Sequence, residues 1–275
     1  GRHGISRARQ TESLGLVFTA LDADAVMIVE APNTGRRQST VRALEAFAAA
    51  FGLRQREAVM GFANDTQQEL ALLYDPDRLT ARHDPQDLGA PRFDGTFRID
   101  LDIDATEDVV VFSKPPLELA IETAGGTRLR VIGAHLKSKA PHGARGHDEI
   151  MRMSIANRRK QLAQAIWLRQ RVEYHLELGD PLILLGDLND GPGLDDYEDL
   201  FGRSSVEIIM GEEGKGGLFD PHARQAMRSR FGVQAATSRF YLAHENKYMQ
   251  ALLDYVMVSP DLRSKSPKSL LNASP

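Results

Sequence analysis

The chain repeats one local pattern four times: a short apolar run that stops on a polar side chain. Val26-Met27-Ile28-Val29 stops on Glu30, and Val131-Ile132-Gly133-Ala134 stops on His135. Leu182-Ile183-Leu184-Leu185-Gly186 stops on Asp187, with Asn189 two residues on, and Ala251-Leu252-Leu253 stops on Asp254. Runs this short, rich in β-branched residues and bounded by turn formers, read as buried strands. The text between them changes period. Val41, Leu44, Phe47 and Phe51 recur at helical spacing behind Ser39 and Thr40 as N-cap candidates, and Gly52 closes the helix. The longest helical stretch runs from about 148 to about 174, with Leu162/Ile166 and Leu168/Val172 four apart. Leu70–Tyr74 and Val109–Phe112 read as further strands, Leu117–Ile121 and Leu129–Ala134 as a hairpin about Gly125-Gly126, and 251–258 as one last strand. Strands interleaved with helices predict an α/β domain. No repeat or low-complexity linker divides 1–275, so one domain is expected. Residues 1–10 read as a polar start, 211–217 as a flexible loop, and 221–232 as a basic, unpatterned insertion.

Composition narrows the chemistry. The 275 residues contain no cysteine, which excludes disulfides, thiolate nucleophiles, cysteine-held zinc and iron–sulfur clusters. Any metal must be held by oxygen or imidazole. Charge is broken often enough that no apolar stretch approaches the roughly 20 residues needed to span a bilayer. A net charge of −4 argues against coating nucleic acid without regard to sequence, while leaving room for a local basic groove.

Each strand-end residue has a plain alternative. Taken singly, Glu30 reads as a solvated charge and His135 as a core histidine bonded to backbone. Asp187 to Asp190 reads as an Asx turn. Asp254 is the hardest to explain away, because a carboxylate inside Leu-Leu-Asp-Tyr-Val-Met-Val is expected to be buried and to need a cationic partner. The recurrence is what argues for a site, since strand ends of α/β folds converge on pockets.

Gly186-Asp187-Leu188-Asn189 after an apolar strand resembles the Gly-Asp-Phe-Asn motif of the endonuclease/exonuclease/phosphatase family, the deoxyribonuclease I-like proteins. Asp24 to Glu30 is similar to the family's strand ending in a metal-binding Glu, Ala134 to Ser138 to its histidine strand, and Leu253 to Val256 with Ser259 to its late Asp strand. The resemblance covers most of 14–261. It implies a four-layer α/β sandwich with two central mixed β-sheets flanked by helices. It further implies that Glu30 ligates Mg²⁺ or Mn²⁺, that Asp187 orients or deprotonates the attacking water, and that Asn189 holds a phosphate oxygen. His135 would donate to the phosphate or protonate the leaving oxygen, and Asp254 would orient a catalytic histidine near the C-terminus. Lys114 and Lys137 are the cations placed to meet phosphate.

Two family features have no match. The first-strand Asn finds no counterpart in 1–13, and the closing Ser-Asp-His is not in Leu270-Leu271-Asn272-Ala273-Ser274-Pro275, so either residues are missing, with the junction near Lys268-Ser269 as the expected place, or the chain has lost its base. The implied activity is that of a divalent-metal-dependent phosphoesterase, an endonuclease-like phosphodiesterase acting by in-line water attack. The alternatives are a phosphomonoesterase or sphingomyelinase-like hydrolase, or an inactive phosphate-binding member. The expected partner is a phosphodiester, short or single-stranded DNA included, with the loop 138–147 and Arg158-Arg159-Lys160 as a candidate groove. A cytoplasmic location is expected, with export left open by the start without Met.

Overall fold

The computed structural model describes residues 4–101, 108–141, 143–191, 202–212, 216–228, 235–242 and 247–264. Helix α1 (Arg7–Leu21) leads into β1 (Ala25–Ala31), followed by α2 (Thr40–Phe51), β2 (Glu57–Met60) and β3 (Glu69–Tyr74). These strands form an antiparallel sheet in the order β1-β3-β2. A second sheet takes β4 (Leu79–His83), β7 (Leu117–Thr123), β8 (Arg128–His135), β9 (Leu182–Asp187) and β12 (Asp254–Val258), in the order β12-β9-β8-β7-β4. Only β8 and β9 run parallel in it, and the crossover between them is the 31-residue helix α3 (His147–Glu177). Two short ribbons, β5 (Phe97–Ile99) with β6 (Asp108–Val110) and β10 (Ser238–Leu242) with β11 (Lys247–Ala251), stand apart. Short helices α4 (Ser205–Met210), α5 (Pro221–Arg228) and α6 (Pro260–Ser264) fill the remainder.

Strand alternation builds the layers. Met27 and Val29 of β1 and Leu70 and Leu72 of β3 face Leu119, Ile121, Val131, Ile183 and Leu185 of the second sheet. Ile28, Ala71 and Leu73 face the other way, onto Leu44 and Ala48 of α2. The outer face of the second sheet carries Ile132, Ala134, Leu182 and Leu184 against Trp167, Leu168 and Val172 of α3. Helices, sheet, sheet and helices therefore stack as four layers. Trp167 is the keystone of the last contact. It is fully buried, its ring lies 4.9–5.6 Å from those of Phe93, Phe97 and Phe112, and its indole N–H donates to Pro91 O at 2.8 Å. Among the described residues no helix is long and apolar enough to cross a membrane.

The polar start is helical from Arg7, because Ser6 accepts the N–H of Arg9 and Phe18 packs edge-on against Phe47 of α2. Two sequence expectations need correction. The supposed insertion at 221 contains α5, capped by Asp220, which accepts from His222 N and Ala223 N and buries Ala223 and Ala226. The apolar run 251–258 is two strands in different sheets. The chain turns the corner at Leu252-Leu253, so Asp254 opens β12 and does not lie inside a strand. The expectations about 268–275, and the parts of two loops at 213–215 and 229–232, fall outside the described residues.

Candidate active site

Registry alone collects three of the strand-end residues. His135 of β8 is the parallel partner of Asp187 of β9, and Asp254 of β12 is the antiparallel partner of that same Asp187. His135, Asp187 and Asp254 therefore form one row across the rim of the second sheet. Gly186 makes the row possible: its φ is +136°, and a Cβ there would overlap the carbonyl oxygen of Ala134. β1 crosses close above, since Gly133 presents no Cβ where Met27 Sδ packs. The pairing of β1 with β3 slips between Val29 and Ala31, and Glu30 sits in the slip with φ +61°. A left-handed glutamate costs about 1–2 kcal/mol. Just behind it Glu69, fully buried, accepts from Asn64 Nδ2 at 2.8 Å and from Thr34 N at 3.4 Å, fastening the segment that leaves Glu30.

Lys114 joins the two sheets at the rim. Its Nζ lies 3.6 Å from Glu30 Oε1 and 3.2 Å from each ring nitrogen of His135. Burial lowers the Lys114 pKa, against the pull of Glu30. His135 is 7% exposed, and burial, with the Lys114 charge added, pushes it down to about 4, so the imidazole is neutral at pH 7. Asp187 Oδ1 accepts the backbone N–H of Asn189 at 2.8 Å, and Oδ2 is 3.6 Å from His135 Nε2. Burial pushes its carboxyl up to about 6, with the charges of Asp254 and Glu30 adding and the Asn189 N–H and Lys114 opposing. Asn189 adopts φ +50°, a conformation asparagine tolerates, and its Nδ2 donates to Leu136 O at 3.0 Å.

The loops around this row are tied down by side chains that a sequence reading passes over. Gln161 of α3 donates to the carbonyls of Lys137, Leu188 and Asn189, and Gln164 accepts the N–H of Lys137 at 2.9 Å. Both are buried, although glutamines on a long helix read as solvent-facing. Asp190 is fully buried and receives Lys139 Nζ at 2.7 Å, Arg158 Nη1 at 2.9 Å, Gly191 N at 2.9 Å and Ser205 N at 2.7 Å. Three cations of the candidate basic groove along 138–147 and 158–160 are engaged within the protein, while Arg145 and His147 stay exposed. Arg158 and Lys139 turn inward to Asp190, and Arg159 bonds Asp108 at 3.0 Å. Lys137 stays near Lys114, whose ammonium it disfavours.

Asp254 is placed beside Asp187 as expected but is exposed, not buried. β12 is an edge strand, and the face carrying Asp254 and Val256 is its exposed one. An exposed carboxylate is solvated by water, so Asp254 needs no cationic partner, contrary to the sequence expectation. Its backbone N–H and that of Leu253 both donate to Thr237 Oγ1 at 3.1 Å. Beside this rim lies a cleft of about 790 Å³ whose walls include Met27, Val29, Leu185, His222, Thr237 and Asp254.

As a metal site the donors are few and hard. Among the described residues no three His, Asp or Glu side chains gather into a cage. Glu30 and Asp187 offer oxygen only, which fits a cation such as Mg²⁺ that keeps most of its waters and takes one or two carboxylates.

Two facing sheets between helical layers, with acid, amide, imidazole and ammonium groups gathered on the sheet rims, place the chain among layered α/β proteins with a polar rim site. A model of the endonuclease/exonuclease/phosphatase family matches residues 6–275, and the chain belongs to that family. No curated protein matches it. Among solved structures it is similar to D. rerio TDP2 complexed with a single-strand DNA product, at 12% identity over 94% of this chain and 79% of that one, with a TM-score of 0.51. It also pairs with a mannosyl-6-phosphatase of Bacteroides thetaiotaomicron, at 15% identity over 92% and 77% with a TM-score of 0.49. The human Nocturnin catalytic domain with bound sulfate gives 13% over 94% and 78%, with a TM-score of 0.46.

Proposed function

We propose that the chain is a phosphodiesterase that hydrolyses P–O bonds by in-line attack of water, with Mg²⁺ or Mn²⁺ as cofactor. The observation that carries this reading is Asp187, a half-buried carboxylate with its pKa raised to about 6 and fixed through Oδ1 by the Asn189 N–H. A carboxylate so placed is a stronger base than one in water and still ionised at pH 7. Asp187 takes the proton of the attacking water, and Asp254, adjacent in register, raises its basicity. Asn189, locked by its bond to Leu136 O, positions that water or a phosphate oxygen. His135, neutral at pH 7, serves the phosphate as an N–H donor, and the departing oxygen takes its proton from solvent water. Lys114 and Lys137 set positive charge against the phosphoryl group, and Glu30 holds the cation. When bound, the cation supplies further charge to the phosphoryl oxygens. The family membership and the TDP2 neighbour with its DNA product support a phosphoester as substrate.

The test is turnover of bis(p-nitrophenyl) phosphate and of short single-stranded DNA with Mn²⁺, repeated with EDTA. Hydrolysis is expected with metal and lost with EDTA, and Glu30→Gln and Asp187→Asn should each reduce it by about a hundredfold or more. Hydrolysis of a phosphomonoester or sphingomyelin alone would move the assignment to those substrates. Phosphate binding without any turnover would make the chain a binding member.

A further inference from the structure

The β10–β11 ribbon presents an aromatic face that the site described above does not use. Its register pairs Arg239 with Gln250 and Tyr241 with Tyr248. Facing residues of an antiparallel pair, and residues two apart along a strand, project from the same side. These four side chains therefore share one face, and all four are exposed, Tyr241 by 50% and Tyr248 by 62%. The opposite face carries Ala251, buried, Ser238 and Met249, half-buried, and Phe240, 37% exposed. On the open face the two tyrosine rings lie 5.2 Å apart at 57°, and the Arg239 guanidinium stands 4.3 Å from the centre of the Tyr248 ring.

Cross-strand rings help to hold a two-stranded ribbon, which is marginal alone. That role explains the contact between the rings but not why half or more of each remains in water. The position of the ribbon adds the second observation. Its base is bolted to the candidate site: Thr237 N donates to Ala251 O at 3.0 Å, while Thr237 Oγ1 holds the amides of Leu253 and Asp254. The cleft walled by Asp254 and Met27 is also walled by Ala235, Ala236 and Thr237, so it leads from the rim to the foot of the ribbon. From there five residue pairs extend about 17 Å at the usual strand rise.

We propose that the face formed by Arg239, Tyr241, Tyr248 and Gln250 is a stacking platform for the unpaired bases of a single-stranded polynucleotide whose backbone enters the adjacent cleft. This deepens the phosphodiesterase reading and rests on it. Tyrosine rings and a guanidinium plane stack bases of any sequence. A duplex offers no free base faces, so the platform selects single strands. Few phosphate contacts are needed, which suits a chain of net charge −4. A ribbon built for a lipid surface would instead carry Trp, Phe or Leu on its open face.

The experiment measures fluorescence anisotropy of a labelled 15-mer of deoxythymidine. The protein is the full chain carrying Asp187→Asn, so that the strand is bound and not cut. Tyr241→Thr with Tyr248→Thr keeps strand-forming residues and should weaken binding by about tenfold to a hundredfold. Tyr241→Phe with Tyr248→Phe keeps the rings and should stay within about twofold of the parent. Arg239→Gln, which leaves both rings in place, should weaken binding severalfold and serves as the test if the double threonine variant does not fold. Binding unchanged by Tyr241→Thr with Tyr248→Thr or by Arg239→Gln, equal loss in the phenylalanine pair, or binding to phosphatidylserine vesicles in place of the oligonucleotide would overturn the proposal. Undiminished cleavage by Asp187→Asn would instead count against the phosphodiesterase reading, and the binding comparison would still be legible.

Discussion

Replacing Asp187 by asparagine should stabilise the fold while it removes the proposed base. A carboxyl with a pKa of about 6 in the folded protein and 3.8 as its ordinary value is disfavoured by folding whenever it is ionised. At 1.36 kcal/mol per pKa unit the penalty at neutral pH is about 3 kcal/mol. The sign follows from proton binding. Between about pH 3.8 and pH 6 the folded chain holds a proton that the unfolded chain has released, so stability falls as pH rises through this window and levels off above it. Asparagine is isosteric, never ionises, and keeps an oxygen to accept the Asn189 N–H. Urea denaturation in EDTA should therefore find Asp187→Asn more stable by about 2–3 kcal/mol at pH 7.5, with the gain vanishing near pH 4. No gain at pH 7.5, or an equal gain at both pH values, would refute the argument that burial sets the state of this carboxylate.

Gly186→Ala should destabilise the protein by more than about 3 kcal/mol, because it combines backbone strain at φ +136° with overlap on the Ala134 carbonyl; thermal melting reads this directly. Trp167→Ala should cost about 3–5 kcal/mol by emptying the contact with Phe93, Phe97 and Phe112, measured by urea denaturation followed by circular dichroism. As Trp167 is the single tryptophan, emission of the parent protein should shift to the red on unfolding.

What the sequence conceals has physical causes. The strand ends are legible because a buried strand must be apolar along its length and must stop where polar groups reach the rim; Glu30, His135 and Asp187 all obey this. Helix α3 is legible from its length. Helix α1 is not, because Leu14, Leu16, Val17 and Leu21 face outward and only Gly15 is buried, so the apolar stripe has no consistent side. Helix α5 hides for the opposite reason: its buried contacts are two alanines among arginines and a histidine. Leu252 and Leu253 disguise a change of sheet as one continuous strand. The meeting of Lys114 with His135, 21 residues away, depends on sheet order, and the inward turn of Arg158 depends on Asp190; neither leaves a local mark.

Asp190 also bears on how this rim can vary between related chains. One oxygen of its carboxylate takes the N–H of Gly191 and the other takes the N–H of Ser205, so a single buried side chain pins both the exit and the return of the intervening segment. With Gly191 and Ser205 both held by one carboxylate, the chain on either side of the two amides is anchored to the same buried point. Insertions beyond Gly191 would leave Asp187 and Asn189 where they are. The carboxylate beside the proposed base thus isolates Asp187 and Asn189 from changes in the chain beyond Gly191.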